Sequence, residues 1–266
     1  MLRRSPSPGT PSTFSPTLGG VTNFEAPLSE KRRTEAVRLH NPKLTHAKVA
    51  IAVPPGFDPR KSWPLFIPIN TESYSDIDAM GQYTETALSA GWVIMAANPF
   101  DEEKSEHGDW RTPVVEAALD YLATVWPASR DWPIASGGHS GGAKNGSFMA
   151  ADLHHRVIGI FMSGCNQDMA SFAYRKSATP NFLNTAVYMS GGKNDTVATM
   201  EMQERVEKSL RHTGFRKVQR QIFEGGHDVN QSQFGDALKW FVDAVNGTVA
   251  SPTPRSDFDK FFKKTQ

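Results

Sequence analysis

Short apolar runs and amphipathic stretches alternate along most of the chain. Lys48–Val53 (KVAIAV) and Leu65–Ile69 (LFIPI) predict strands, with Pro54-Pro55-Gly56 and Asp58-Pro59 supplying turn chemistry between them. The stretch from about Ile77 to Ser89 predicts a helix that Gly91 ends. Trp92–Ala97 (WVIMAA) is wholly apolar, as in a strand of a sheet covered on both faces. Thr112 and Pro113 predict a helix start, as N-cap and first helical residue. Val114, Ala118, Tyr121, Leu122 and Val125 follow at helical spacing. Pro133–Ala135 opens a strand that runs into Gly137-Gly138-His139-Ser140-Gly141-Gly142. A helix to about Leu153 comes next, with Phe148, Met149 and Leu153 on one face. Val157–Met162 (VIGIFM), Ala186–Met189 (AVYM) and Val218–Phe223 predict further strands. Met202, Val206 and Leu210 mark a helix ended by Gly214. Phe234, Ala237, Leu238, Phe241, Val242 and Val245 mark a final one ended by Gly247. Strand–helix alternation of this kind implies an α/β fold: a mostly parallel central sheet with helices on both faces.

The two ends of the chain break this pattern. Fourteen of residues 1–20 are Pro, Ser, Thr or Gly, a composition that cannot bury a core, and residues 1–30 are expected to be disordered or loosely attached. The domain is expected over 31–247, with 248–266 as a polar tail. Arg3 and Arg4 suit the basic start of a signal peptide, but no apolar stretch follows. The chain as it stands therefore reads as cytoplasmic, or as secreted if its natural start or processing differs. No apolar run approaches the 18 residues or so of a membrane span.

The 29 basic and 28 acidic residues leave a net charge of +1, which argues against an electrostatic nucleic-acid binder. A single cysteine, Cys165, excludes an internal disulfide and zinc sites of the Cys2His2 type. No metal or cofactor is called for.

Gly138-His139-Ser140-Gly141-Gly142 fits Gly-x-Ser-x-Gly between a predicted strand and a predicted helix. A serine at the tip of so tight a turn needs small neighbours, and the helix after it aims its first N–H groups beside the hydroxyl. A P-loop reading fails, because Ala143 separates Gly142 from Lys144 and Asn145 stands where Ser or Thr is needed. A hydroxyl is a weak nucleophile without a base. Of eight histidines, His227 is the one placed on a loop (EGGHD) between the last predicted strand and the last helix. That position is the carboxyl edge of the sheet, where the Ser140 turn also opens. His139, inside the turn, should project away from its neighbour Ser140, and is a candidate substrate contact. Asp195, in SGGKNDTV directly after the AVYM strand, is the candidate acid that orients the imidazole. Asp168 is the runner-up, and Asp228 is expected to cap the final helix.

Together, GGHSGG around Ser140, SGGKNDTV around Asp195 and EGGHD around His227 carry a resemblance to the α/β-hydrolase superfamily, over roughly residues 35–246. The order Ser140, Asp195, His227 is the order of its catalytic triad. Within it the chain resembles small carboxylesterases of the dienelactone hydrolase and polyhydroxybutyrate depolymerase-like kind. The resemblance implies attack of Ser140 on an ester carbonyl, with an acyl-enzyme that water hydrolyses. It also implies an oxyanion hole, with the Gly141 N–H as one donor. The His-Gly turn that often supplies the second donor is absent after Ile67-Pro68-Ile69-Asn70-Thr71-Glu72, so Thr71 N–H is the candidate there and Asn70 a possible side-chain donor.

Cys165 to Asn184 is too short for a large lid domain. Met169, Phe172 and Tyr174 either line a substrate pocket or pack that loop on the core, and Asp168 lies beside them. Trp110, ending the loop from Asp101, is a further candidate contact. Cys165 lacks a matched base and reads as structural. The expected substrate is a small-molecule or polymeric ester. A peptidase or thioesterase on the same triad and a non-catalytic binding module of hydrolase fold remain the alternatives. Nothing in the sequence speaks to oligomeric state.

Overall fold

The computed structural model describes residues 14–71, 74–100, 110–176 and 179–247. The chain forms two compact units, which divide after Ile134.

The first unit carries β1 (Val21–Pro27), α1 (Glu30–Arg38), β2 (His46–Ala52), β3 (Leu65–Pro68), α2 (Asp76–Ser89), β4 (Val93–Pro99) and α3 (Arg111–Val125). Its strands lie in the order β1-β2-β4-β3. β1 and β2 pair antiparallel, as do β2 and β4, whereas β3 runs parallel to β4. β1 begins inside the segment that composition marks as loosely attached. Its partner is the expected strand β2, with Phe24 opposite Val49. Phe24 also stacks on Tyr121 of α3, centroid to centroid 5.0 Å, and Phe14 tilts against Trp126 at 5.2 Å. With the Phe14–Phe24 contact at 4.8 Å, three aromatic contacts hold down a chain segment that is otherwise polar. The helix α1 follows, with the Ser29 side chain accepting from the Arg32 N–H as its N-cap.

The second unit carries β5 (Ile134–His139), α4 (Gly141–Asp152), β6 (Val157–Ser163), α5 (Met169–Lys176), β7 (Ala186–Gly192), α6 (Met200–Thr213), β8 (Lys217–Phe223) and α7 (Gln231–Val245). Its strand order is β5-β6-β7-β8, with β6, β7 and β8 parallel. Every residue of β7 is buried. Successive side chains of a strand point to opposite faces, so burial of all seven requires helices over both. Aromatic rings of α7 lie against this sheet: Phe234 is 5.0 Å from Phe161 of β6, and Trp240 is 6.0 Å from Tyr188 of β7.

The expected fold class, α/β with a mostly parallel sheet, is the one observed, and the described residues form no large lid domain. Two capping assignments differ. α3 begins at Arg111 with Trp110 at its N-cap and no side-chain bond there, so Thr112 is a helical residue and not the cap. α7 is capped by Asn230, whose Oδ1 accepts from the Gln233 N–H at 2.9 Å. Asp228 accepts from the Val229 N–H, one residue on, and is spent in the turn before the helix.

Candidate active site

The site residues of the second unit sit on the turns that follow its strands. β5 ends at His139, and Ser140 turns the chain into α4 with φ 55° and ψ −118°. A non-glycine residue held in the left-handed half of backbone space costs about 1–3 kcal/mol and persists where its surroundings enforce it. The enforcing bonds are visible: the Ser140 N–H donates to the Ser163 carbonyl at 2.8 Å, and the Ala143 N–H donates to the Ser140 carbonyl at 3.2 Å. Ser140 stands at the N-cap of α4 yet makes no side-chain capping bond, so its hydroxyl is left for other work. Gly141 is the first residue of that helix, where N–H groups point outward unpaired.

Asp195 lies in the turn after β7, its side chain fully buried. One carboxylate oxygen accepts from the N–H groups of Val197 and Ala198, each at 2.8 Å. The other accepts from Nδ1 of His227 at 2.8 Å. Burial pushes the carboxyl up, but the His227 bond and the two backbone bonds outweigh it and hold Asp195 below its usual value. A carboxylate is an acceptor only, so the bond places the His227 proton on Nδ1 and leaves a lone pair on Nε2.

The two turns carrying this pair are joined backbone to backbone. The Lys193 N–H donates to the Phe223 carbonyl and the Asn194 N–H to the Gly225 carbonyl, both at 2.8 Å. A Cβ on Gly192 would stand 2.1 Å from the Gly226 carbonyl oxygen, so only glycine allows this approach. His139 does not face empty space. Its ring centroid is 4.4 Å from that of His227, tilted by 50°, and its Nδ1 is 3.2 Å from the Ser163 hydroxyl.

The remaining candidates are placed as follows. Asp168 is not the partner of His227; its Oδ1 accepts from the Ser171 N–H at 2.9 Å, at the start of α5. Phe172, on α5, is partly exposed, meets Phe148 edge-on at 5.9 Å and has the Lys176 ammonium 4.6 Å above its ring. Cys165 is buried, its thiol pushed up to about 11 chiefly by burial, and its Sγ–H donates to the Gln167 carbonyl. In the first unit the Thr71 N–H is taken by Oδ1 of Asn70 at 2.8 Å. The Asn70 amide in turn donates to the Ser75 carbonyl at 2.9 Å. Trp110 is buried, with the Arg111 guanidinium 4.8 Å over its ring, instead of lining a surface. Glu72 and residues 101–109, with His107, lie outside the described residues.

Two features carried no signal in the sequence. Ser163 is a polar residue at the end of an apolar strand, and its contact with His139 arises only when β5 and β6 are folded. Asp76 and Arg111 form a buried ion pair, Nε donating to both carboxylate oxygens at 3.1 and 3.0 Å, with the Asn70 N–H also on Asp76 at 2.7 Å. Nothing in the local pattern pairs residues 35 positions apart. Among the described residues no group of three or more His, Cys, Asp or Glu is arranged to hold a metal ion. Among them too, no helix is long and apolar enough to cross a membrane.

No protein-family model and no curated protein sequence matches the chain. Solved structures do. An S-formylglutathione hydrolase from Agrobacterium tumefaciens aligns over 84% of this chain and 95% of its own, with TM-score 0.58 and 14% identity. A dienelactone hydrolase from Anabaena variabilis aligns over 84% and 97%, with TM-score 0.57 and 14% identity. The Bacillus cereus carboxylesterase aligns over 74% and 94%, with TM-score 0.52 and 17% identity. Identities this low speak to architecture alone, and the architecture of this chain is the α/β-hydrolase fold.

Proposed function

We propose that the protein is a serine hydrolase that cleaves a carboxylic ester, with Ser140 as nucleophile, His227 as base and then acid, and Asp195 as the group that orients and charges the base. The observation that carries this reading is the 2.8 Å bond from His227 Nδ1 to the buried Asp195 carboxylate. It fixes the tautomer that a general base requires. The strained, uncapped serine at the head of α4 supports it. So do the names of the structurally similar proteins, which are esterases and hydrolases.

The chemistry follows from these roles. The Ser140 proton passes to His227 Nε2 as Oγ bonds to the ester carbonyl carbon. Negative charge moves onto the carbonyl oxygen, where the Gly141 N–H and the positive end of α4 stabilise it. The imidazolium is favoured by Asp195. It returns its proton to the alcohol oxygen as the C–O bond breaks, leaving an acyl group on Ser140. Water then repeats the sequence, losing a proton to His227 and releasing the acid.

A fluorophosphonate probe is expected to label the chain on Ser140, and Ser140→Ala to abolish both labelling and ester hydrolysis, the latter by about 10⁵–10⁶-fold. Hydrolysis of an ester series that survives Ser140→Ala would overturn the assignment. A matched series of esters, thioesters and peptides gives the preferred class.

A further inference from the structure

The second imidazole of the site has no part in the reaction just described, and its surroundings assign it one. His139 Nδ1 is 3.2 Å from Ser163 Oγ, and the Ser163 hydroxyl donates to the Asp228 carbonyl at 3.3 Å. A hydroxyl that spends its proton on a carbonyl can only accept from His139, so neutral His139 carries its proton on Nδ1. The result is a donor chain from the residue before the serine to the residue after His227. The two rings are 4.4 Å apart, and both Cε1 atoms crowd the space beside Gly164. A Cβ there would lie 2.8 Å from the His139 ring and 3.0 Å from the His227 ring, and the backbone at Gly164 is left-handed, φ +55°.

We propose that His139 is a positioning residue: in its neutral form it braces the His227 turn through Ser163, and when it takes a proton it stalls the base. This rests on the serine-hydrolase reading above. The physical reason is charge. During acylation His227 becomes an imidazolium, and a second cation at ring contact opposes that step. The ionisable groups whose fields reach His139 are His227, Asp228 and Asp195. Burial and the His227 ring lower its basicity, while the two carboxylates act the other way and lose. At ring contact the first proton taken by the pair opposes the second.

The test is the pH dependence of fluorophosphonate labelling of Ser140 in the full chain, which needs no identified ester. For the wild type the logarithm of the labelling rate should fall towards acid with a slope of about 1 where the pair takes its first proton, steepening to about 2 where it takes its second. His139→Asn keeps an N–H donor for Ser163 and cannot be charged. Whatever its rate at pH 8, its acid slope should stay at about 1 throughout. His139→Phe keeps a ring without the donor, and should show the same slope of about 1 and a rate about tenfold lower. Ser163→Ala breaks the donor chain alone, lowering the rate several-fold while the slope of about 2 remains. A purely structural defect would lower rates without changing any slope. A wild-type profile that never steepens beyond about 1 down to the pH at which the fold is lost, or one that still steepens to about 2 in His139→Asn, overturns the proposal. A wild-type chain that fails to label at every pH overturns the hydrolase reading itself, a result distinct from either of these.

Discussion

At position 140 the chain accepts a backbone conformation that side chains avoid, and it does so next to an anion-favouring helix end. The residues around it are specialised in the same sense. Asp195 has both carboxylate oxygens engaged, one by His227 and the other by two backbone N–H groups. Asp195→Asn removes the charge and offers a donor where an acceptor is needed, so His227 loses its tautomer. The expected loss is about 10³–10⁴-fold in kcat with little change in KM, read from steady-state kinetics on any ester the chain accepts. The lowered carboxyl also affects stability. Because its folded value lies below the unfolded one, Asp195 stabilises the fold above the ordinary carboxylate range. That contribution is lost as pH falls through the folded value. Acid unfolding of Asp195→Asn should lack this contribution, shown by a smaller drop in melting temperature between pH 5 and about pH 3 than in the wild type. The pairing of Asp195 with His227 was legible in the sequence, since each lies in a short motif after a predicted strand, as does the candidate nucleophile Ser140. His139 was legible as a residue but not as a neighbour of His227, because its orientation depends on the left-handed turn at Ser140.

Between elements, the pairing of the β7 and β8 turns decides whether Asp195 and His227 meet. Gly192→Ala would drive a methyl group into the Gly226 carbonyl and push the two turns apart. Labelling of Ser140 should fall by at least about tenfold while the helical circular-dichroism signal is retained, since a misplacement of about 1 Å is enough to slow an aligned reaction. An alanine variant that labels at the wild-type rate would mean that the turns yield without disturbing the pair. The starts of β6, β7 and β8 were readable within a residue, although β7 runs three residues past Met189 into the glycines that carry the Asp195 turn. β1 and α1 were not. VTNFEAP buries little beyond Ala26 and mixes polar residues throughout, while EKRRTEAVR buries only Ala36 and exposes Val37 among charged residues. β1 is held by pairing with β2 and by Phe14 and Phe24, and α1 by the Arg32 ion pairs to Glu116 and Asp120, contacts that no local window contains.

At the scale of the whole molecule, Asp76 and Arg111 form a buried ion pair outside the site. Burial pushes Asp76 up to about 6 against the opposing pull of Arg111 and of the Asn70 N–H. The sign is the reverse of that for Asp195: a raised folded value means that the native state takes the proton first. Stability from this group is therefore full below about pH 4 and declines as pH rises through about 6. Melting temperature across pH 4–7 should carry that decline in the wild type and lose it in Asp76→Asn/Arg111→Gln, where both charges are gone. Arg111→Gln alone leaves a buried carboxylate without its partner and should destabilise by about 3–5 kcal/mol at pH 7. Chain-wide alternation of strand and helix made the fold class readable from sequence, whereas this pair joins two residues from separate helices and has no sequence signature. The claim on which the functional account depends is a covalent one, and rapid-quench mass spectrometry tests it directly. Mixed with a p-nitrophenyl ester and quenched before turnover, the protein should gain one acyl mass on the peptide containing Ser140. Hydrolysis of the ester with no adduct at any quench time, or an adduct on another residue, would contradict it.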